Sequence, residues 1–218
     1  MTEVGEEAMS VYYPMMMNIR SRRCVVVGGG TVAERKVASL LEAGAEVTLV
    51  SPTLTPGLRE MAEKEMIRYL PRKYRKGDLD GSFLCVVATN DPRLQKRIWK
   101  EAQGKEILAN ITDWEEACDF LVPSYFRRGD LLICVSTGGR GPALAKRIRR
   151  DLEDLYGWEY EVLLEVLTQL RPRMLEEIKN PKKRRSALER AGNPELVALV
   201  SETDPADLPD RVWAYLMA

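Results

Sequence analysis

Three glycines, Gly28, Gly29 and Gly30, stand between an apolar run and a segment of helical spacing, a placement suited to holding a diphosphate. Cys24 to Val27 is a β-branched run preceded by polar Arg22 and Arg23, as expected of a buried strand in a parallel sheet. Gly28, Gly30 and Ala33 supply the spacing G-x-G-x-x-A. In that pattern the first glycine allows a tight turn and the second lets backbone approach the phosphates with no Cβ between them. The small third residue lets the helix pack closely on its strand. The helix that follows, with Val37, Leu40 and Leu41 on one face, would turn its dipole and its first N–H groups, those of Thr31 and Val32 among them, toward the anion. A glycine triplet also occurs as a plain structural turn. Here the strand before it, the helix after it and a second strand from Glu46 to Val50 favour a dinucleotide.

One part of the dinucleotide pattern is missing. The second strand normally ends near an acidic residue that takes the ribose hydroxyls, whereas this chain reads Val50-Ser51-Pro52-Thr53. Ser51, Pro52 and Thr53 are expected to contact the adenosine half, and local chemistry leaves NAD against NADP open. Thr89 and Asn90, after a further buried strand, are expected at the same crevice, because ligands of such sheets sit outside the carboxyl ends of the strands.

Composition narrows the chemistry. The 218 residues contain no histidine, which removes imidazole acid–base work, Ser-His and Cys-His pairs and His-ligated zinc; no metal site is expected. Cys24, Cys85, Cys118 and Cys134 are far apart and never form C-x-x-C, so they read as reduced small hydrophobes in a cytoplasmic protein. No apolar run reaches membrane-spanning length and the acidic start is unlike a signal peptide. Residues Met1 to Ser10 read as a loose extension. Lys plus Arg and Asp plus Glu are equal at 33, so neither nucleic acid nor membrane is expected as a partner. The balance is nevertheless local. Arg127 to Arg150 holds seven basic residues against one acid, a solvated face or a surface for a polycarboxylate.

Alternation of strands and helices continues through the first half. Thr55-Pro56 opens a helix, Met66 to Leu70 is a short strand, and Phe83 to Ala88 is a buried one. A helix from Arg93 to Ala102 and a strand from Ile107 to Ile111 follow. Phe120 to Pro123 and Asp130 to Ser136 read as two further strands, Pro142 opens a helix, and another starts beyond Gly157. The prolines at 172, 181, 194, 205 and 209 then divide the rest into short helices. The expected fold is α/β: a Rossmann-type parallel sheet over 1–112, a small strand-containing region over 113–150 for dimerisation and substrate, and a helical domain over 151–218.

Four blocks in this order resemble one family. YYPMMMNIRSRRCVVVGGGTVAERKVASLLEAGAEVTLVSP, VVATNDPRLQ, NITDWEEACDFLVPS and RRGDLLICVSTGGRGPALAKRIRRDLE are similar to precorrin-2 dehydrogenases, which also form the N-terminal module of fused siroheme synthases. The resemblance spans about Tyr12 to Glu153. It implies NAD-dependent dehydrogenation of precorrin-2 to sirohydrochlorin by a homodimer, with Asp113 as the catalytic carboxylate. Gln95 stands where the family commonly has asparagine, and Gly141 where it commonly has serine.

Such a substrate is a macrocycle fringed with carboxylates, for which Arg127, Arg128, Arg140 and Lys146 are the expected partners. Two other readings stay open at this point: a bifunctional enzyme that also inserts iron, and a regulatory domain that binds NAD and catalyses nothing. From its position alone, Asp113 equally suits a cap on the turn into Trp114-Glu115-Glu116.

Overall fold

The computed structural model describes residues 12–218; the extension expected over Met1 to Ser10 lies outside the described residues. The chain forms two compact units, Met1–Val122 and Pro123–Ala218. Residues 113–122, expected in the middle region, belong to the first of these.

The first unit is built on five parallel strands: β1 (Arg23–Val27), β2 (Glu46–Val50), β3 (Arg68–Leu70), β4 (Leu84–Val87) and β5 (Leu108–Ile111). Their spatial order is β3-β2-β1-β4-β5, with Val27 level with Val50 on one side and Val87 on the other. Because successive side chains point to opposite faces, Cys24 and Val26 enter one core while Val25 and Val27 enter another. The first core is shared with α1 (Thr31–Glu42) and α2 (Pro56–Glu63) through Ala33, Val37, Leu40 and Leu58. The second takes Ile98 and Ala102 from α3 (Pro92–Gly104), with Tyr74 and Leu79 from the connection before β4. Both faces of the sheet are therefore covered, which is why β1 and β4 read as unbroken apolar runs. Each fully buried valine of β1 contributes about 1.5–3 kcal/mol relative to exposure.

The connection between β3 and β4 is held by carboxylates. Asp78 accepts two hydrogen bonds from Arg72, at 2.8 and 2.7 Å, and one from Arg75 N at 2.8 Å. Those interactions, the Arg72 pair foremost, hold its carboxyl below the usual range. Glu101 is half-buried, which acts to raise its pKa, but hydrogen bonds from Lys105, Gly77 N and Tyr74 outweigh that and leave it lowered.

The second unit begins with a hairpin of β6 (Ser124–Arg128) and β7 (Leu131–Val135), paired antiparallel with Phe126 opposite Ile133. Helix α4 (Pro142–Leu155) packs on this ribbon, and α5 (Glu159–Glu177), α6 (Pro181–Arg190), α7 (Pro194–Glu202) and α8 (Leu208–Met217) follow. Leu163, Val166, Leu170 and Met174 form one stripe along α5 and meet Leu196, Val200, Val212 and Leu216 in a separate core.

Two expectations differ here. Phe120 to Pro123 is not a strand; Phe120 packs on the first core and its carbonyl accepts a hydrogen bond from Asn110 Nδ2 at 2.9 Å. Pro172 does not end a helix but lies inside α5, where the continuous buried stripe offsets the roughly 3 kcal/mol an interior proline costs. The other helix-breaking prolines act as expected: Pro181 and Pro194 each occupy the first position of a helix.

Candidate active site

The strand order reverses direction between β1 and β4, so the loops that leave their carboxyl ends diverge and open a crevice there. Gly28 begins the loop after β1 with φ +125°, and its N–H donates to Val50 O at 3.0 Å. A Cβ at Gly28 would lie 2.0 Å from Ala88 O, and one at Gly29 would lie 1.9 Å from Thr53 O. These two glycines are thus demanded by the close approach of the β4 and β2 loops. Gly30 differs: a Cβ there would meet nothing within 4 Å, so the space outside it is open.

Gly30 is also the N-cap of α1, and no side chain caps that helix. The N–H groups of the first turn, including Thr31 and Val32, point from an exposed helix end with the positive end of the dipole behind them. Ala33 is fully buried, so the helix lies close on its strand. An open cradle with uncapped N–H donors fits a dinucleotide diphosphate in both shape and charge.

The remaining sequence-predicted residues surround this turn at the same end of the sheet. Ser51 is buried, and its hydroxyl donates to Thr53 O at 2.7 Å, which makes it a brace for the loop; Pro52 and Thr53 are exposed. Thr55 N donates to Gly29 O at 3.0 Å, tying the loop after β2 to the glycine turn. Across the crevice, Ala88 N donates to Val27 O at 2.8 Å and leads into half-buried Thr89 and exposed Asn90. Asp91 caps α3, its Oδ1 accepting from Arg93 N at 3.0 Å and Leu94 N at 3.2 Å.

Asp113 follows β5 by two residues. It is exposed, has φ +63°, and its carboxylate makes no hydrogen bond or ion pair among the described residues. The turn after it starts at Trp114 and carries no side-chain cap, so the capping role that position alone allowed is not used. A non-glycine residue in the left-handed region costs energy, although aspartate tolerates it better than most. The loop is held instead by residues to which sequence reading gave no bracing role. Gln95 Nε2 donates to Thr89 O at 2.7 Å and to Thr112 O at 3.2 Å, clamping the ends of β4 and β5 together. Cys118 Sγ accepts from Ile111 N at 3.1 Å, and burial raises its thiol pKa. Cysteine at seven residues from the strand end carries no spacing signal, whereas Gln95 was marked in the sequence as a departure from the family's usual asparagine.

Among the basic residues, Arg128 is committed within its own unit. It donates to Glu153 O at 3.3 Å, approaches the Glu153 carboxylate at 3.9 Å and lies over the Phe126 ring at 5.5 Å. Arg127 alternates to the opposite side of β6 and is exposed. Arg140 is exposed in the loop Ser136–Gly141, and Lys146 is exposed on α4. Cys134, expected to be a reduced small hydrophobe, is exposed on β7, while Cys24 and Cys85 are buried and pushed up to about 11 and about 12 by that burial. All four cysteines are free.

Strand order, glycine turn and open helix end together define a dinucleotide-binding Rossmann protein. Residues 15–124 match the family model for putative NAD(P)-binding proteins, half of the chain, and the chain belongs to that family. Residues 128–155, from the end of β6 through α4, match the model for the central segment of sirohaem biosynthesis proteins. The chain is 38% identical over 172 residues to the siroheme synthase of Methylobacillus flagellatus, covering 79% of this chain and 37% of that protein. It is 37% identical over 174 residues to the siroheme synthase of Nitrosococcus oceani, covering 80% and 37%. It thus spans little more than a third of the length of these relatives. Its structure is similar to SirC, a precorrin-2 dehydrogenase, with a TM-score of 0.76 and 27% identity over 94% of this chain and 100% of that one.

Proposed function

We propose that this chain is an NAD-dependent dehydrogenase that converts precorrin-2 to sirohydrochlorin, acting as a homodimer in the cytoplasm. The observation that carries the reading is the pairing of an open dinucleotide cradle at Gly28–Val32 with an uncommitted carboxylate, Asp113, at the same ends of the same sheet. Similarity to SirC over its entire length supports the substrate.

In this reading the N–H groups of Gly30, Thr31 and Val32 hold the diphosphate, Thr89 and Asn90 border the nicotinamide half, and Pro52 and Thr53 border the adenosine half. NAD, when bound, supplies the hydride acceptor. Asp113 receives the proton that must leave the macrocycle, or stabilises positive charge there, through an exposed carboxylate that no neighbour among the described residues occupies. Exposed Arg127, Arg140 and Lys146 meet substrate carboxylates, while Arg128 is held by Glu153 and acts by fixing β6 on α4. In this reading 1–112, 113–150 and 151–218 serve as cofactor, substrate and dimerisation, and helical regions.

Self-association is supported by the ribbon in the second unit. Among the described residues the two-stranded sheet has no strand partner at either outer edge, and α4 beside it exposes Leu144 and Leu155. Free cysteines suit a reducing compartment, and none of the described helices is long and apolar enough to cross a membrane.

The test is spectroscopic. Anaerobic precorrin-2 with NAD and this chain should develop the sirohydrochlorin spectrum with NADH formed in equal amount. Nucleotide binding without turnover would make the chain a sensor instead. Sedimentation velocity at micromolar concentration reads the oligomeric state.

A further inference from the structure

On several helices of this chain an arginine is matched by an acid four residues on: Arg147 by Asp151, Arg149 by Glu153, Arg173 by Glu177 and Arg185 by Glu189. Helix α3 breaks that habit. Arg93, Lys96, Arg97 and Lys100 recur at helical spacing along one exposed stripe, with no acid among them. Like charges at that spacing repel, and Arg93 in the first turn also meets the positive end of the helix dipole, so the stripe costs the helix stability. A second run of cations lies alongside. Arg97 Nη2 donates to Tyr74 O at 3.0 Å and Gly77 N donates to Glu101 Oε1 at 2.8 Å, which holds the connection after β3, with exposed Lys73, Arg75 and Lys76, against the stripe. The acids of this face are already engaged: Asp78 by Arg72, Asp80 and Glu101 by Lys105, and Asp91 as the cap of α3. The side chains of Lys73, Lys76, Arg93, Lys96 and Lys100 make no hydrogen bond or ion pair among the described residues. Residues 71–105 hold nine basic residues against four acids, so a chain with no net charge carries a positive excess here.

Both segments start at the crevice. β3 ends at Leu70, level with Val50, and the cationic connection leaves from there; α3 starts directly after Thr89, Asn90 and the Asp91 cap. We propose that this face is a steering surface for the anionic ligands of the crevice, the dinucleotide and the carboxylate-fringed macrocycle, raising the rate at which they arrive without holding them once bound; the proposal rests on the functional reading above. Several unmatched charges within about one Debye length of an entrance, about 10 Å at 0.1 M salt, raise the encounter rate of an anion. Acids border the crevice too. Glu34, whose carboxylate accepts from Thr55 Oγ1, lies on α1 and therefore on the opposite face of the sheet from α3, and Asp113, Glu115 and Glu116 follow β5. The field consequently has a direction and draws anions in over α3 rather than past α1. An arriving anion relieves the repulsion along the stripe, which gives the unmatched cations a use that helix stability does not.

Stopped-flow association of the full chain with NADH, followed by energy transfer from tryptophan, and with anaerobic precorrin-2 in the absence of NAD, followed by quenching, tests this. Both association rates should fall as salt rises from about 20 mM to about 500 mM. The double variant Lys96→Glu, Lys100→Glu should slow association by about threefold for NADH and about tenfold for precorrin-2 in low salt, leave both dissociation rates within about twofold, and match the parent in high salt. Lys96→Gln with Lys100→Gln should give an intermediate slowing, because the effect follows charge and not shape. Thermal melts check that each variant is folded. Unchanged association rates in the glutamate variant, or a loss carried by the dissociation rates instead, would overturn the proposal and leave the dinucleotide reading intact. Slowing for NADH alone would overturn its macrocycle half, and a folded chain that binds neither ligand would overturn the proposal and the functional reading together.

Discussion

Two glycine-rich turns lead into helices in this molecule, one after β1 and one after β7, and they are built on different terms. The turn Gly28-Gly29-Gly30 is clasped on both sides: Ala88 O and Thr53 O occupy the places where two side chains would begin. The turn Gly138-Gly139-Arg140-Gly141 shows no such clasp at Gly138 or Gly141 among the described residues. A Cβ at Gly138 would meet nothing within 4 Å, and one at Gly141 would make ordinary contacts from 3.5 Å. Gly138 and Gly139 take positive φ, +59° and +78°, and the loop is held by Ser136 Oγ accepting from Gly138 N and Thr137 Oγ1 accepting from Gly141 N. Both helices start without a side-chain cap. The same local pattern therefore yields a rigid cradle where three strands converge, and a locally braced loop where only a hairpin supports it.

The sharpest way to break this comparison is to load the first turn. Gly29→Ala should cost on the order of 3 kcal/mol, because a backbone carbonyl rather than a flexible side chain must move, and thermal melting reads it. Gly30→Val in the same turn should melt close to the parent and yet lose NAD affinity by roughly 50-fold or more in calorimetry, since its side chain would fill the open cradle. Equal melting points for both variants would show that the clasp is not rigid.

Asp113→Asn extends the test to the neighbouring strand end. Asparagine keeps the shape and the left-handed backbone, so NAD binding and melting temperature should hold, while kcat falls by roughly 10²-fold. A lowered melting temperature with normal turnover would return Asp113 to a structural role.

Acid should separate the two regions. Asp78 and Glu101, both in the first unit, have lowered pKa values, so their contribution is present above the ordinary carboxylate pKa of about 4 and is lost as pH falls through their lower folded values. Melting followed at Trp99 and Trp114 in the first unit should therefore weaken as pH falls below about 4, before the signal of Trp213 in the second does.

Smaller effects belong to the second turn. Lys146→Gln, on the helix that follows it, should raise KM for the macrocycle by up to about fivefold and leave NAD affinity alone. Gly138→Ala should cost no more than about 1 kcal/mol, the strain of a positive φ with no clash added. A loss as large as that of Gly29→Ala would erase the distinction between the two turns.

Much of this molecule follows from local rules written in its residues. Apolar runs of β-branched residues set β1 and β4, Thr55-Pro56 and Asp91-Pro92 start two helices with cap and proline in place, and Gly28 marks a turn that needs positive φ. Each depends only on neighbours within a few positions, so sequence alone determined it. Strand order, the clasp on Gly29 and the exposure of Asp113 depend on segments up to about 90 residues apart meeting in space, and only the tertiary structure decided them. The same holds for parts that local rules left undecided. Pro172 is carried by a stripe of side chains buried against α7 and α8, Arg128 is taken by Glu153 across a helix, and Gln95 and Cys118 brace the crevice from positions with no motif of their own. Periodicity reports which face a residue occupies, whereas which partner waits on that face is set by packing among elements that the chain brings together only when it folds.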